Sequence, residues 1–186
     1  MTISRPKPIP ASALAALVIA AGLSTPLMAQ EAPTPSLLPG GASSLTETHG
    51  DWSIRCQVVT QNEASERVCV MGQRQTNAQA LQVLAIELLP SPDGLEGALV
   101  LPFGLAVTQP VSLTIDEGEA ITAPFSTCVP AGCVVPIEAG SDTLAAMRAG
   151  SRLVVSAPNL NGQTLELPVS LTGLAAATSR IEALVQ

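Results

Sequence analysis

The sequence has very few of the side chains on which most enzyme sites depend. Its 186 residues include no tyrosine, one tryptophan, two phenylalanines and a single histidine, His49. A Ser-His-Asp triad needs an imidazole held inside the fold, whereas His49 ends a stretch rich in Gly, Ser and Thr. One histidine also cannot supply the two imidazoles that many zinc and iron sites use. We therefore expect no enzymatic activity, no bound metal and no cofactor.

Basic side chains are also scarce. Eight Lys and Arg stand against fifteen Asp and Glu, and two of the eight, Arg5 and Lys7, lie near the N-terminus. Beyond residue 29 there is no lysine, so six arginines against fifteen acids leave a net charge of −9. Such a chain repels phosphate backbones and anionic lipid headgroups, which excludes nucleic acid as a partner. The acids keep a carboxylate-pair hydrolase open as a further hypothesis.

The first 29 residues have the pattern of a secretory signal peptide. Arg5 and Lys7 form a basic region, residues 11–23 are apolar, and small residues lead to a cleavage site after Ala29. The apolar stretch is short for a stable membrane span, and an uncleaved anchor is the alternative. No second long apolar run follows. We therefore expect an exported, periplasmic protein without a transmembrane anchor after cleavage, with association with the outer membrane or secretion as the alternatives.

The rest of the chain divides into a linker and one domain. Residues 30–48 are rich in Pro, Gly, Ser and Thr and lack an apolar period, which predicts a flexible linker. Residues 49–186 have the size of a single domain. About nine short segments within them alternate apolar and polar side chains, which predicts a mainly antiparallel β-sandwich or barrel. A helical period occurs only at 142–150 and after residue 173, predicting a short internal helix and a C-terminal helix.

Four cysteines in an exported domain predict two disulfides. If residues 51–59 and 66–75 form a hairpin, directly opposed residues have numbers that sum to 125, and Cys56 and Cys69 are such a pair. Opposed residues of an antiparallel ladder lie about 4.5–5.5 Å apart, a distance that a disulfide spans. The sequence therefore predicts a Cys56–Cys69 bridge across this hairpin.

Cys128 and Cys133 flank a short loop, Val-Pro-Ala-Gly, whose proline and glycine favour a turn. A second disulfide across that turn is the first interpretation. The alternative is a thiol-redox site, although redox pairs normally hold a two-residue spacer at a helix N-terminus, where the thiol pKa is lowered. A metal site of four cysteines is a third interpretation.

Trp52 is the only tryptophan and begins the alternating segment WSIRCQV. An exposed tryptophan would be a candidate contact for a partner protein. Its place in an alternating strand favours packing in the core, and a partner contact is the alternative interpretation.

Several motifs in order resemble the invasion-associated locus B proteins, which alphaproteobacteria export. The resemblance covers residues 49 to about 178 and rests on HGDWSIRC, VCVMGQ, LPFGLAV, VSLTIDEG, PFSTCVPAGC and PVSLTGL. It implies a β-rich periplasmic or envelope-associated domain without established enzymatic activity, acting through contacts with an envelope or host protein. In some pathogenic members it implies a role in host-cell invasion. The family has no catalytic motif to transfer, and the shortage of lysine and aromatics departs from its pattern.

Overall fold

The computed structural model describes residues 38–61 and 64–185. The predicted signal peptide, residues 1–29, and residues 30–37 of the predicted linker lie outside these ranges. Within them, no helix is long and apolar enough to cross a bilayer.

Strands dominate the described chain. In order they are β1 Ser44–His49, β2 Trp52–Gln61, β3 Ala64–Thr76, β4 Gln82–Ser91, β5 Gly94–Leu101, β6 Val111–Ile115, β7 Ile121–Ala123, β8 Thr127–Val129, β9 Gly132–Gly140, β10 Arg152–Pro158 and β11 Thr164–Ser170. Helix α1 spans Ser141–Ala149 and α2 spans Leu174–Val185, which confirms both predicted helices.

The strands form two antiparallel sheets. The large sheet has the order β1-β2-β3-β4-β5-β9-β8, and the small sheet has the order β11-β10-β6-β7. One continuous core lies between the large sheet on one side and the small sheet and both helices on the other. The prediction of a mainly antiparallel β fold with two helices is confirmed.

The alternation in the sequence explains which face of the large sheet is buried. Side chains at every second position of β2 to β5 and β9 point into the core, because successive side chains of a strand point to opposite faces. Fully buried members of this inner face are Ile54, Met71, Ile86, Leu88, Leu99 and Val135. Polar residues such as Arg55 and Glu87 occupy the outer face, where they pair with each other.

The predicted linker extends too far. Residues 44–48 belong to β1, an edge strand that pairs with β2 in the register Leu45↔Cys56 and His49↔Trp52. Leu38, in the same predicted linker, is buried in the core. The composition misled the prediction because an edge strand needs backbone hydrogen bonds on one side only and tolerates polar side chains. The domain therefore begins before residue 49.

The segment from Ile121 to Cys128 contributes to both sheets. It forms β7 in the small sheet, breaks at Pro124, and continues as β8 in the large sheet. Proline has no backbone N–H to give to a ladder. This crossing places β7 and β9 at neighbouring edges of the two sheets, which matters for the site below.

Candidate functional site

The first predicted disulfide is present. Cys56 and Cys69 are bonded. The β2–β3 register pairs Cys56 with Cys69 and Ile54 with Met71, so the numbers of opposed residues sum to 125, as the sequence predicted. Both cysteines are buried, with 1% and 3% of their surface exposed. The bridge therefore lies inside the core, where it joins two neighbouring strands of the large sheet.

The second predicted disulfide is also present, between Cys128 of β8 and Cys133 of β9. Cys133 is buried, whereas Cys128 is exposed. The pair lies across a strand hairpin and not at a helix N-terminus, so the helix dipole that lowers a redox thiol pKa is missing here. None of the cysteines in the described chain is free.

Trp52 is not available to a partner, which corrects its proposed role as a partner contact. The side chain is fully buried, and its Nε1–H donates a 3.0 Å hydrogen bond to the carbonyl oxygen of Ser170 in β11. Buried tryptophan normally finds such an acceptor. Trp52 therefore joins the large sheet to the small sheet.

A charged cluster that sequence analysis missed connects β1 to α2. Arg180 donates to both oxygens of Glu47, from Nε at 2.8 Å and from Nη2 at 2.7 Å, and His49 lies 3.3 Å from Glu47 Oε2. The hydrogen bonds from Arg180 are the largest cause that lowers the pKa of Glu47 from 4.5 to about 2. Glu47 and Arg180 are 133 positions apart, so no local pattern relates them. The cluster holds an edge strand against a helix.

An apolar opening lies between the two sheets. We call it the inter-sheet cleft: a cavity of about 260 Å³ between β7 of the small sheet and β9 of the large sheet, closed at one end by α1. Its floor is made of aliphatic side chains from several strands and one helix. They are Leu88, Leu113, Ile115, Ile137, Met147 and Leu153.

Free strand edges border this cleft on both sides. β7 is the outermost strand of the small sheet, and β8 covers only the start of β9, residues 132–134. The carbonyl of Val134 points toward β8, where it accepts from Ser126 N–H at 2.9 Å. In a strand, the backbone N–H and C=O groups of every second residue point to the same side. The carbonyl of Pro136 and the N–H and carbonyl of Glu138 therefore point to the same side of β9 as the carbonyl of Val134. No strand of the described chain pairs with them there.

The rim of the cleft carries polar and acidic groups. Thr122, Thr143 and Glu138 line it directly. Glu119 and Asp142 stand within two positions of lining residues in the sequence. An apolar floor with Glu138 at its edge suits a ligand that combines apolar and basic groups.

The cleft does not contain the groups that a hydrolase of two carboxylates would need. Glu138 is the one carboxylate among its lining residues, whereas such enzymes place two carboxyl groups about 5–10 Å apart across the reacting bond. In the described part of the chain, no three His, Cys, Asp or Glu side chains are grouped so that they could hold a metal ion.

Comparison with known proteins gives consistent family matches. The family model of the invasion associated locus B (IalB) protein matches residues 52–182. An invasion protein B homolog of Brucella abortus strain 2308 is 39% identical over 152 residues, covering 80% of this chain and 86% of its own. Invasion protein B of Bartonella bacilliformis is 37% identical over 159 residues and covers 82% of each chain.

A solved structure has the same fold. The crystal structure of invasion associated protein B from Bartonella henselae superimposes with a TM-score of 0.69 and 40% sequence identity, over 76% of this chain and 97% of that chain. The residues that the family model matches, 52–182, include both cysteine pairs and all the strands that border the inter-sheet cleft. The chain therefore belongs to the invasion associated locus B family.

Proposed function

We propose that this protein is exported to the bacterial envelope and acts there, without catalysis, by binding a partner protein in the inter-sheet cleft. The partner segment lies extended along β7 or β9, inserts an apolar side chain into the cavity and places basic side chains near the acidic rim. The observation that carries this proposal is the apolar cavity bordered by two free strand edges.

The size of the cavity supports a peptide segment over a large organic ligand. Pockets for drug-sized molecules usually measure about 300–1,000 Å³, and this one measures about 260 Å³. A dry apolar cavity of about 150 Å³ accepts one benzene. The cleft thus has room for one or two side chains of a partner, with the rest of the segment outside.

The strand edges support an extended conformation of that segment. An unpaired edge presents N–H and C=O groups in a row, and a peptide that adds a strand there satisfies them. Pro136 in β9 and Pro124 after β7 remove two donors from these edges. They limit indiscriminate pairing with other strands, so recognition requires the apolar side chain in the cavity as well.

Charge supports a basic partner. The exported chain carries −9, and no arginine is among the residues that line the cleft. Glu138 lines it, and Glu119 stands two positions before Ile121 of β7. Complementary charge raises the rate of encounter and suppresses acidic partners. The invasion protein names of the relatives make an envelope or host-cell protein the kind of partner proposed.

A peptide-binding measurement tests the cleft. A short fluorescein-labelled peptide that alternates Lys and Val should bind saturably, seen as a rise in fluorescence anisotropy, and the matching Glu and Val peptide should not. Ile121→Lys, at the mouth of the cleft, should abolish binding. The control is Val68→Lys in β3, because Ile121 and Val68 are both 43% exposed. Equal binding by the two variants, or no binding of the Lys and Val peptide, would refute the proposal.

Location and partner are tested together in cells. A photo-crosslinking residue at Thr122 of the exported protein should give a discrete adduct with an envelope protein. The same residue at Gln57, on the outer face of β2, should not. If the protein stays in the cytoplasm, or if Ile121→Lys leaves the adduct unchanged, the proposed role is wrong.

Exposure of Cys128 supports one alternative function, a thiol-redox protein that uses Cys128 and Cys133. An exchanger would be reduced and reoxidised by a glutathione buffer poised at about −200 mV, whereas a structural disulfide, with a potential below about −300 mV, resists reduction there. Retention of the partner adduct by a Cys128→Ser/Cys133→Ser variant would favour binding over redox chemistry.

A further inference from the structure

Apolar side chains project from four neighbouring loops at one end of the fold. Five of the eight large hydrophobic side chains that are exposed in the described chain lie there, and we call them the uncharged tip: Leu81, Phe103, Val107, Val129 and Leu160. Phe103 is one of only two phenylalanines and is 63% exposed, and Leu160 is 76% exposed. None of the five lines the inter-sheet cleft.

Sheet register and backbone hydrogen bonds bring these loops together. The Leu160 N–H donates to the carbonyl of Gly104 at 3.1 Å, which holds the β10–β11 hairpin beside the loop after β5. The pair Leu101↔Cys133 places the β8–β9 hairpin at the same end of β5. The β4–β5 pairing, with Ala85↔Val100, brings the start of β4 and the turn before it alongside.

All four segments that build this end lack charge. Residues 75–86, 97–115, 120–137 and 153–165 contain no Asp, Glu, Lys or Arg, although the exported chain has twenty-one such residues. The charged residues that bound these segments lie on strands or, for Asp116 and Glu119, in the turn between β6 and β7. They are Arg74, Glu87, Glu96, Asp116, Glu119, Glu138, Arg152 and Glu166.

We propose that the uncharged tip inserts shallowly into the surface of a lipid bilayer and docks the protein on a membrane. Hydrocarbon strongly disfavours charged side chains, so an inserting surface has to be free of charge, as these segments are. The five exposed tip residues stand on four neighbouring loop ends, and a deformable lipid surface can surround side chains that are spaced in this way. Neutral polar neighbours such as Thr108, Gln109 and Asn161 supply hydrogen bonds to headgroups.

A protein interface fits this end less well. Binding hot spots are enriched in Trp, Tyr and Arg, and the four segments contain none of the three.

The net charge of the rest of the chain determines which lipid headgroups it prefers. With −9 on the exported chain, anionic headgroups repel it, so the preferred surface is zwitterionic. This docking uses a different surface from the inter-sheet cleft and does not depend on the peptide proposal.

Vesicle sedimentation tests the proposal. The test uses residues 30–186, the chain expected after cleavage of the predicted signal peptide, because that leader is itself apolar and would bind vesicles on its own. Phosphatidylcholine vesicles should bind the protein saturably, and Phe103→Ser/Leu160→Ser should lower the partition constant about tenfold or more. Val68→Ser should not lower it, because Val68 lies at the other end of β3 and is 43% exposed.

Insertion itself is measured by fluorescence. In a Phe103→Trp variant, lipids with brominated acyl chains should quench the new tryptophan, whereas the buried Trp52 should stay unquenched in the parent protein. Absence of vesicle binding, equal binding by the double variant, or binding that requires anionic lipid and disappears with salt would overturn the proposal. Loss of self-association or of binding to another protein in the double variant, without a change in vesicle binding, would assign the tip to a protein contact instead.

Discussion

The Glu47–Arg180 pair makes a quantitative prediction about stability, because it is the contact that fixes the edge strand β1 to α2. Replacing Glu47 with Gln keeps the size of the side chain and removes its charge. The fall of the Glu47 pKa from 4.5 to about 2 corresponds to about 3 kcal/mol at 1.36 kcal/mol per unit. A quarter of the Glu47 side chain and 37% of the Arg180 side chain are exposed, so solvent screening reduces this value. We expect Glu47→Gln to lower the free energy of unfolding by about 1–2 kcal/mol at neutral pH.

The pH dependence of this loss has a definite sign. A carboxyl group whose pKa is lower in the folded state stabilises the fold above its unfolded pKa, here 4.5, and the contribution disappears as pH falls toward about 2. The difference between the wild type and Glu47→Gln should therefore be full near pH 7 and fall by roughly half or more by pH 3. Urea unfolding followed by tryptophan fluorescence across this range measures it.

A matched control separates this pair from an ordinary surface pair. Arg55 and Glu87 also lie 2.7 Å apart, but their side chains are 43% and 46% exposed. Glu87→Gln should change stability by no more than about 0.5 kcal/mol. Two results would contradict the expected contribution of the Glu47–Arg180 pair to stability. One is an equal loss of unfolding free energy in Glu47→Gln and Glu87→Gln. The other is a loss in Glu47→Gln that does not become smaller in acid.

Further predictions concern the disulfides and one close backbone approach. Cys56→Ala should lower the free energy of unfolding by about 2–4 kcal/mol and leave one free thiol at Cys69; a mixed bridge found by mass spectrometry would contradict the assigned pairing. Graded reduction followed by alkylation should open the Cys128–Cys133 disulfide before the buried bridge, because Cys128 is exposed; the opposite order would show that exposure does not control access. Gly97→Ala should cost about 2 kcal/mol or more by urea unfolding, because the added Cβ would meet the carbonyl oxygen of Glu87 in β4. At Gly140 an added Cβ meets nothing within 4 Å, so Gly140→Ala should cost far less.

Local patterns predicted those parts of the fold in which the relevant partners are close in sequence. The β2–β3 hairpin was predicted in the correct register because two cysteines and an alternating apolar face on nearby strands agree on a single pairing. Both helices were recognised from their period. β1 was missed because its polar composition resembles a linker.

The candidate sites were much less predictable. From the sequence, Trp52 fits either a core position or a contact with a partner protein. Its burial and its hydrogen bond to Ser170 of β11 show that it is a core residue. The residues of the inter-sheet cleft come from segments that are far apart, from Leu88 to Leu153. No spacing rule relates them, because the cleft exists only where β7 and β9 meet at the edges of different sheets.

The sequence by itself determined the composition and charge of the chain, its strand periodicity, the spacing of its cysteines and its family motifs. These properties depend on neighbours within one hairpin or one helix, where chain geometry leaves few choices. The tertiary structure decided which distant groups meet: Glu47 with Arg180, β7 with β9, and four uncharged loops at one end. These contacts between distant segments depend on how the sheets and helices pack around the shared core, and that packing is a property of the whole chain.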